Sequence, residues 1–404
     1  AFARTLSFPL DDFQREACTS LAAGRGVLVA APTGAGKTLV GEFAVHLALT
    51  RGQKAFYTTP IKALSNQKFA DLVRVHGAQN VGLLTGDSSI NGEAPIVVMT
   101  TEVLRNMMYA ESPTLAGLGF VVMDEVHYLA DRSRGAVWEE VIIHLPQEVV
   151  VVSLSATVSN AEEFGQWLRL VRGEVDIIVS EDRPVPLFQH LLVDTELLDL
   201  FVTDGGRTRV NPAVTQRIES QLRRTAYPSE RRHPRGRGDR DDPRRPQGRR
   251  PTASRAQTIL ALDREGLLPA ITFIFSRAGC EAAVGQLIGR DVRLVSDEEA
   301  RRIRRVVEER VAGLPDEDLA VLGYWDFVDG LTRGFAAHHA GMLPTFREIV
   351  EELFTAGRIK AVFATETLAL GINMPARSVV LEKLVKFNGE SHADITPAEY
   401  TQLT

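Results

Sequence analysis

The chain has 404 residues, of which 44% are hydrophobic and 24% are charged, and its formal net charge is −6. This length exceeds what one hydrophobic core supports and suits two domains of an ordinary globular protein. No apolar run approaches the ~20 residues that a membrane-spanning helix needs, which argues against a membrane protein. The acidic balance argues against a globally basic nucleic-acid binder, although a local basic groove remains compatible with it.

Short apolar runs alternate with helical segments through residues 1–182, which we take as the first domain. This alternation predicts an α/β fold with a parallel sheet covered by helices on both faces. Such sheets bind ligands at the carboxyl ends of their strands, so the polar clusters that follow the runs should meet there. The predicted strands are Val27–Ala30, Ala55–Thr58, Val81–Leu84, Ile96–Thr100, Phe120–Met123, Val149–Leu154 and Ile177–Val179.

Phe8 and Gln14 precede the first predicted strand. A glutamine amide offers a donor and an acceptor together, which can pair with an adenine edge. We therefore predict that Gln14 binds the base of a nucleotide and that Phe8 packs nearby. The alternative is an ordinary helix start at Asp11 or Asp12.

The stretch Ala31–Thr38 joins the first strand to a segment with helical spacing. Strand, glycine-rich turn and helix are the context of a phosphate-binding loop, whose N–H groups face a polyphosphate. Lys37 would reach the β- and γ-phosphates of ATP, and Thr38 would hold Mg²⁺. Ala31 replaces the usual first glycine, so a chance turn is the alternative. The residues predicted to contact the nucleotide are Thr33, Gly34, Ala35, Gly36, Lys37 and Thr38.

Hydroxyls, amides and cations follow three further strands. They suit the sugar–phosphate backbone of a single strand, where contacts position the polymer without reading its sequence. Taken one at a time, each cluster could instead be an ordinary helix cap. The predicted nucleic-acid contacts are Thr59, Pro60, Lys62, Asn66, Gln67, Thr85, Gly86, Thr100, Thr101 and Arg105.

An acidic box, Asp124-Glu125-Val126-His127, follows the strand Phe120–Met123 directly. Asp124 is predicted to hold the hydrated Mg²⁺, and Glu125 to orient and deprotonate the attacking water. His127 would lie beside the γ-phosphate and transmit the state of that phosphate, bound or released, to the surrounding residues. The alternative is a strand end with solvated charges.

Two small hydroxyl residues, Ser155 and Thr157, follow the run Val149–Leu154. Alone they indicate nothing, but after a phosphate loop and an acidic box they could bridge the metal site to the other domain. Together with Lys37, Asp124, Glu125 and His127, they complete the set of residues predicted to be catalytic.

The strand pattern lapses at Arg183–Pro186, where we place the boundary of a second domain, residues 183–404. Within it, Arg223–Arg255 is rich in arginine and contains no Val, Ile, Leu or Phe. Such a segment cannot bury enough apolar surface to offset its ordering entropy, so we expect it to be disordered. It could be a solvated linker or an arginine tail that attracts RNA.

A second alternating block begins after this segment and predicts a second parallel sheet. Its predicted strands are Ile271–Phe275, Gly334–Ala337, Lys360–Ala364, Ser378–Leu381 and Leu384–Phe387. Its predicted nucleic-acid contacts are Ser276, Arg277, His339, Thr365 and Thr367, and Gly371 and Asn373 are predicted to close on the nucleotide. The paired histidines 338 and 339 favour packing or RNA contact over a metal site.

The two cysteines, Cys18 and Cys280, fall in different predicted domains. Neither a disulfide framework nor a zinc site is expected from them. We predict two buried thiols in a reducing cytoplasm, and no secretory signal precedes Phe8.

These motifs resemble those of the superfamily 2 helicases, and they occur in the same order. The stretches similar to motifs I, II, III and V are Ala31–Thr38, Asp124–His127, Ser155–Thr157 and Thr365–Pro375. The acidic box, together with Thr58–Lys68 and His338–Pro344, resembles the superkiller and exosome-cofactor family of DExH-box RNA helicases. The resemblance implies two tandem RecA-like domains, ATP and Mg²⁺ as cofactors, 3′-to-5′ translocation on single-stranded RNA, unwinding, and RNA-degradation nucleases as partners.

Two alternatives stay open at this point. A DNA helicase or translocase would use the same core, since no residue identifiably contacts a 2′-OH. The family continues from Gln402 into a segment whose arginines reach the γ-phosphate, whereas this chain ends at Thr404. We therefore expect a fragment of a larger protein, which by itself could be an ATP-dependent nucleic-acid clamp with little turnover.

Overall fold

The computed structural model describes residues 2, 6, 8–130, 135–156, 161–193, 195–226, 253–313, 315–368, 374–387 and 391–404. The chain divides into two compact units. The first contains Ala1–Pro186, Thr367–Asn373 and Val385–Thr404, and the second contains Leu187–Glu366 and Met374–Leu384. The domain bounds expected from the sequence, 1–182 and 183–404, stay a prediction.

An eight-stranded sheet forms the centre of the first unit. Its strands are β1 (Gly26–Ala30), β2 (Lys54–Thr59), β3 (Val81–Thr85), β4 (Ser88–Ile90), β5 (Ile96–Thr100), β6 (Leu118–Met123), β7 (Val150–Ser155) and β8 (Val175–Val179). Their spatial order is β4-β3-β5-β2-β6-β7-β1-β8. Every neighbouring pair is parallel except β3 with β4, which is antiparallel. The predicted α/β class is confirmed, and β4 is a short edge strand that the apolar pattern missed.

Helices cover both faces of this sheet, because successive strand residues point to opposite sides. They are α1 (Asp12–Ala22), α2 (Thr38–Thr50), α3 (Lys62–His76), α4 (Thr101–Tyr109), α5 (Gly135–His144) and α6 (Ala161–Arg172). Val27 and Val29 pack in one core with residues of α1, α2 and α3. Leu28 packs in the other core with Trp138 of α5 and Leu168 of α6.

The second unit contains a four-stranded parallel sheet and two antiparallel hairpins. The hairpin strands are β9 (His190–Val193), β10 (Glu196–Asp199), β11 (Phe201–Asp204) and β12 (Arg207–Val210), and the sheet strands are β13 (Ala270–Phe273), β14 (Phe335–His338), β15 (Ala361–Ala364) and β16 (Ser378–Leu381). The sheet order is β14-β15-β13-β16. The parallel sheet therefore matches the second predicted block, except for its last run.

The described residues of this unit form the helices α7 (Pro212–Ala226), α8 (Arg255–Arg264), α9 (Arg277–Ile288), α10 (Asp297–Val311), α11 (Asp316–Val321), α12 (Tyr324–Arg333) and α13 (Pro344–Thr355). Residues of α8 and α9 share a core with Phe335 and Ala337 of β14. His338 points to the opposite face, where it meets Glu351 of α13. Helices therefore pack on both faces of this sheet as well.

The last predicted strand behaves differently from the rest of its block. β17 (Val385–Phe387) pairs antiparallel with β18 (His392–Asp394) in a separate two-stranded sheet, and α14 (Pro397–Leu403) follows. These elements group with the first unit. The run Leu384–Phe387 is thus a strand, but it is not part of the second parallel sheet.

The ends of the arginine-rich segment are helical, in contrast to the disorder expected from its composition. α7 extends to Ala226, and Ser254 caps α8 by accepting a hydrogen bond from the backbone N–H of Gln257. Residues 227–252 lie outside the described residues. Among the helices that the structure describes, none is long and apolar enough to cross a membrane.

Candidate nucleotide and nucleic-acid site

The predicted phosphate loop lies between β1 and α2. Gly34 and Gly36 have φ values of 81° and 84°, a left-handed conformation that glycine adopts without steric cost. A Cβ at Gly36 would lie 2.7 Å from Nε2 of Gln14, so the loop approaches α1 closely there. The first amides of α2 have no acceptor within the helix, and together with the helix dipole they form a site for an anion.

Lys37 is buried against this loop. Its Nζ donates to the backbone oxygens of Ala31 at 2.8 Å and Pro32 at 2.9 Å. Burial lowers the pKa of Lys37, while the charges of Glu125 and Asp124 oppose that shift. The ammonium group therefore lies close to the acidic box, and the loop carbonyls hold it where a phosphate oxygen would compete for it.

Both oxygens of the Asp124 carboxylate have a donor. The hydroxyl of Tyr57 donates to Oδ2 at 2.8 Å, and the backbone N–H of Glu125 donates to Oδ1 at 3.0 Å. The N–H of Asp124 itself donates to the carbonyl of Thr58 at 3.0 Å, which fixes the residue to β2. Burial raises the pKa of Asp124. Each oxygen retains a lone pair, so the carboxylate fits a hydrated Mg²⁺.

Glu125 has the chemistry of a general base. Its φ of 57° is uncommon for a residue with a side chain, and such backbone strain is concentrated at functional sites. Burial, and secondarily the charge of Asp124, raise the pKa of Glu125 to about 7. A base is most effective when its pKa lies near the working pH, so this carboxylate suits proton abstraction from water.

The neutral imidazole of His127 lies beside Glu125. Its Nδ1 accepts a 3.4 Å hydrogen bond from the backbone N–H of Ala156 and lies 3.3 Å from Oε2 of Glu125. Burial, with a smaller effect of Lys37, lowers the pKa of His127 to about 4. Since Nδ1 accepts, the ring proton lies on Nε2.

Two buried polar atoms of this cluster have no hydrogen-bond partner in the part of the chain that the structure describes. They are Oε2 of Glu125 and Nε2 of His127. Buried polar atoms without partners are uncommon in proteins and call for an explanation. A bound triphosphate and its water would supply those partners, so the residues present fit Mg²⁺ and ATP.

Ser155 ends β7, and its carbonyl accepts a 3.1 Å hydrogen bond from the N–H of Ala31. This contact joins the third motif to the start of the phosphate loop. Thr157, predicted with it, lies outside the described residues. The placement of the acidic box, the loop and Ser155 follows from the neighbouring positions of β6, β7 and β1 in the sheet.

Gln14 is engaged with the protein on both sides of its amide. Its Oε1 accepts from the N–H of Asp11 at 3.0 Å, and its Nε2 donates to the carbonyl of Gly36 at 3.2 Å. The helix start at Asp11 that was the alternative interpretation is present, with a capping box. Phe8 is exposed. The contact of Gln14 with adenine stays a prediction.

The three clusters predicted to bind nucleic acid meet at the carboxyl ends of β2, β3 and β5, which are neighbours. Thr101 donates to the carbonyl of Thr59 at 3.4 Å. Lys62 forms an ion pair with Asp87, which also accepts from Thr85 at 3.0 Å. The tertiary structure therefore joins clusters that the sequence presents separately.

These residues differ in their access to solvent. Lys62, Asn66, Gln67 and Gly86 are exposed, Thr85, Thr100 and Arg105 are half-buried, and Thr59, Pro60 and Thr101 are buried. The hydroxyl of Thr59 bonds with that of Ser65 at 2.7 Å. The exposed members can contact a polymer directly, whereas the buried threonines brace the backbone beneath them.

In the second unit the predicted contacts follow β13, β14 and β15. Ser276 caps α9 by accepting from the N–H of Gly279 at 3.1 Å, and Arg277 is exposed. A Cβ at Gly341 would lie 3.2 Å from both Cδ of Arg277 and Nδ1 of His339. These side chains are therefore neighbours at one edge of the second sheet.

The paired histidines each contact a different glutamate. Nε2 of His339 lies 2.7 Å from Glu281, and Nε2 of His338 lies 2.7 Å from Glu351. Both rings are buried, and they do not converge on a common centre. Thr365 is half-buried. Gly371, Asn373 and the side chain of Thr367 lie outside the described residues.

The order of these motifs and the geometry around Lys37 and the acidic box agree with a comparison to known proteins. Residues 11–164 match the DEAD/DEAH box helicases. Residues 11–164 thus form a DEAD/DEAH box helicase domain. The matched residues include the phosphate loop, the acidic box and Ser155.

Similar relatives cover the whole chain. Probable helicase HelY of Mycobacterium tuberculosis is 62% identical over 405 residues, which are 100% of this chain and 44% of that protein. The chloroplastic DExH-box ATP-dependent RNA helicase DExH15 of Arabidopsis thaliana is 41% identical over 98% of this chain and 35% of its own length. Human exosome RNA helicase MTR4 is 38% identical over 100% of this chain and 37% of its own length. The chain thus spans less than half of these relatives.

One functional contact was missed by reasoning from sequence alone. Tyr57 lies in an apolar run and was assigned only to a buried strand, yet its hydroxyl contacts Asp124. The polar group of a tyrosine within a buried run is the one signal that could have indicated this role, because buried hydroxyls find partners.

Proposed function

We propose that this chain is the motor of an ATP-dependent RNA helicase, which couples ATP hydrolysis to 3′-to-5′ translocation and unwinding. The observation that carries the proposal is the group that buried Lys37 forms with half-buried Asp124 and Glu125 beside the phosphate loop. Three ionisable groups that are largely withdrawn from water in one cluster are costly unless they act together on a ligand. The helicase family supports the reaction class.

The residues of the first unit divide the work of hydrolysis. Mg²⁺ bound to ATP would supply charge neutralisation at the phosphates. Lys37 and the loop amides would hold the phosphates, Thr38 and Asp124 would hold the metal, and Glu125 would take the proton of the attacking water. His127 would donate its Nε2–H toward the γ-phosphate side of the site, and the carbonyl of Ser155 holds the start of the loop.

Single-stranded RNA is the proposed polymer. Exposed Lys62, Asn66, Gln67 and Gly86 in the first unit, and Arg277 in the second, can contact a backbone without reading bases. The preference for RNA follows the names of two relatives, an ATP-dependent RNA helicase and an exosome RNA helicase. We also propose RNA-degrading nucleases as partners, because one of these relatives is named an exosome RNA helicase.

We extend the proposal to the arrangement and location of the chain. The two parallel sheets would be RecA-like domains, and Gly371 and Asn373 would close on the nucleotide.

Burial raises the pKa of Cys18 to about 11 and that of Cys280 to about 12, and both are free thiols. Inert thiols suit a reducing cytoplasm.

An unwinding assay on the protein that contains this chain tests the proposal. Duplex RNA with a 3′ overhang should be unwound in the presence of ATP, while a 5′ overhang should not support unwinding, and Lys37→Ala should abolish the activity. Unwinding of the matching DNA duplex alone would establish the DNA helicase instead. ATP-dependent retention of single-stranded RNA without unwinding would establish the clamp.

A further inference from the structure

Tyr57 is a buried polar residue at the centre of the first unit. It lies on β2, its side chain is fully buried, and its register partners are Val98 of β5 and Val122 of β6. Its hydroxyl donates to Oδ2 of Asp124 at 2.8 Å. A hydroxyl in such a dry environment needs a partner, and here that partner is the predicted Mg²⁺ ligand.

The helix that follows the phosphate loop lies directly on the tyrosine ring. A Cβ added at Gly41 of α2 would come within 3.0 Å of Cε2 of Tyr57, and within 3.1 Å of Cγ1 of Val122. The absence of a side chain at Gly41 therefore lets α2 approach β2 and β6. The ring has little freedom to move without displacing this helix.

A second contact of the ring comes from α3. Nζ of Lys68 lies 5.3 Å from the ring centroid, which is the geometry of a cation–π interaction. The same helix carries Lys62, Asn66 and Gln67, which are exposed at its amino-terminal end. Tyr57 thus touches the loop helix, the metal-binding carboxylate and the helix proposed to contact nucleic acid.

We propose that Tyr57 is a positioning residue, which holds the Asp124 carboxylate in its Mg²⁺-binding orientation and links that orientation to α3 through Lys68. This inference rests on the proposed function, since it takes Asp124 as the metal ligand. Without the Tyr57 hydroxyl, Oδ2 has lost its side-chain donor and the carboxylate can rotate about its terminal bond. Residues that orient a metal ligand from behind commonly change metal affinity by about 10–100-fold when they are altered.

The test is the Mg²⁺ dependence of nucleotide binding, which does not require turnover. A fluorescent ATP analogue is titrated into wild-type protein and Tyr57→Phe, first in EDTA and then at increasing Mg²⁺. We expect unchanged affinity in EDTA, because the loop and Lys37 are intact, and a Mg²⁺ midpoint about tenfold higher in the variant. An equal midpoint in the two proteins overturns the inference.

Phe56→Leu is the matched control. Phe56 is the preceding residue of β2, is equally buried, and packs in the core on the opposite face of the sheet. This variant lowers the melting temperature through lost packing and leaves the Mg²⁺ midpoint unchanged. A midpoint that rises as much in Phe56→Leu would assign the effect to strand stability and also overturn the inference.

A double-mutant cycle tests the link to α3. Lys68→Gln keeps the length of the side chain and removes its cation, which also acts on Asp124 directly through its charge. We expect the change in the Mg²⁺ midpoint caused by Lys68→Gln to differ between wild type and the Tyr57→Phe background, because the direct charge effect on Asp124 is common to both and cancels in the cycle. If the changes in the Mg²⁺ midpoint caused by the two substitutions are strictly additive, Lys68 does not act through Tyr57.

The same titration distinguishes a failure of the proposed function from a failure of the positioning role. If wild-type protein binds no nucleotide with or without Mg²⁺, the ATP site itself is wrong. If wild type binds with a Mg²⁺ dependence that Tyr57→Phe shares, only the positioning role is wrong.

Discussion

The carboxyl edge of the eight-stranded sheet has two halves that differ in their exposure to solvent. The loop half consists of the ends of β6, β7 and β1, and the α3 half consists of the ends of β3, β5 and β2. Lys37 in the loop half is 8% exposed, whereas the side chain of Lys62 in the α3 half is 48% exposed. The same sheet edge thus presents one lysine to a dry site and the other to solvent.

The acidic residues of the two halves show the same contrast. Burial raises the pKa of Glu125 to about 7, while hydrogen bonds from Lys62 and Thr85 lower the pKa of exposed Asp87. Desolvation disfavours a charge, and a nearby donor favours it. Proton abstraction at neutral pH suits the first environment, and the proposed contact with a nucleic-acid backbone suits the second.

The largest expected effect is that of Glu125→Gln. An amide cannot accept the proton of the attacking water, so steady-state ATP turnover should fall by about 10²–10⁴-fold while ATP and RNA still bind. Turnover is measured with saturating RNA, and binding by filter retention. RNA-stimulated turnover near that of wild type would exclude Glu125 as the base and weaken the contrast between the halves.

Lys37→Ala should have the next largest effect, on nucleotide binding. The variant loses the cation that would meet the phosphates, and we expect ATP affinity to fall by about 100-fold, or ~3 kcal/mol. The melting temperature should change little, because the hydrogen bonds of Nζ that the structure describes go to loop carbonyls. Calorimetric titration with ATP measures the affinity, and an unchanged dissociation constant would remove the phosphate-loop assignment.

The pH dependence of turnover should separate the two halves. Since the base acts in its deprotonated form and its pKa is about 7, kcat/KM should fall about tenfold per pH unit well below pH 7. Asp87→Asn should keep the same midpoint, because Asp87 titrates below its ordinary range. A profile that stays flat from pH 8 down to pH 5 would show that Glu125 titrates as an ordinary carboxylate.

Lys62→Ala should produce the smallest effect, confined to the α3 half. Loss of one exposed cation should weaken single-stranded RNA binding several-fold and reduce the salt slope by roughly one phosphate contact. ATP affinity without RNA should not change. Fluorescence anisotropy with labelled RNA at several salt concentrations measures both quantities, and an unchanged salt slope would show that the lysine contacts no phosphate.

The sequence by itself determined the local elements of both halves. The apolar runs predicted seven of the eight strands of the first sheet, because buried parallel strands need side chains that are apolar on both faces. The phosphate loop and the acidic box could also be recognised from the sequence, because each is formed by residues adjacent in the chain. The edge strand Ser88–Ile90 escaped because it is short, partly polar and half exposed, and so carries no apolar pattern.

Only the tertiary structure decided which distant residues meet. Tyr57 and Asp124 are 67 residues apart, and His339 and Glu281 are 58 apart. No local periodicity encodes such pairs, because they depend on strand orders that differ from the order in the chain, β4-β3-β5-β2-β6-β7-β1-β8 in the first unit and β14-β15-β13-β16 in the second. The raised pKa of Glu125 has the same origin. It comes from the burial that neighbouring elements impose, and an isolated Asp-Glu pair would titrate as ordinary carboxylates.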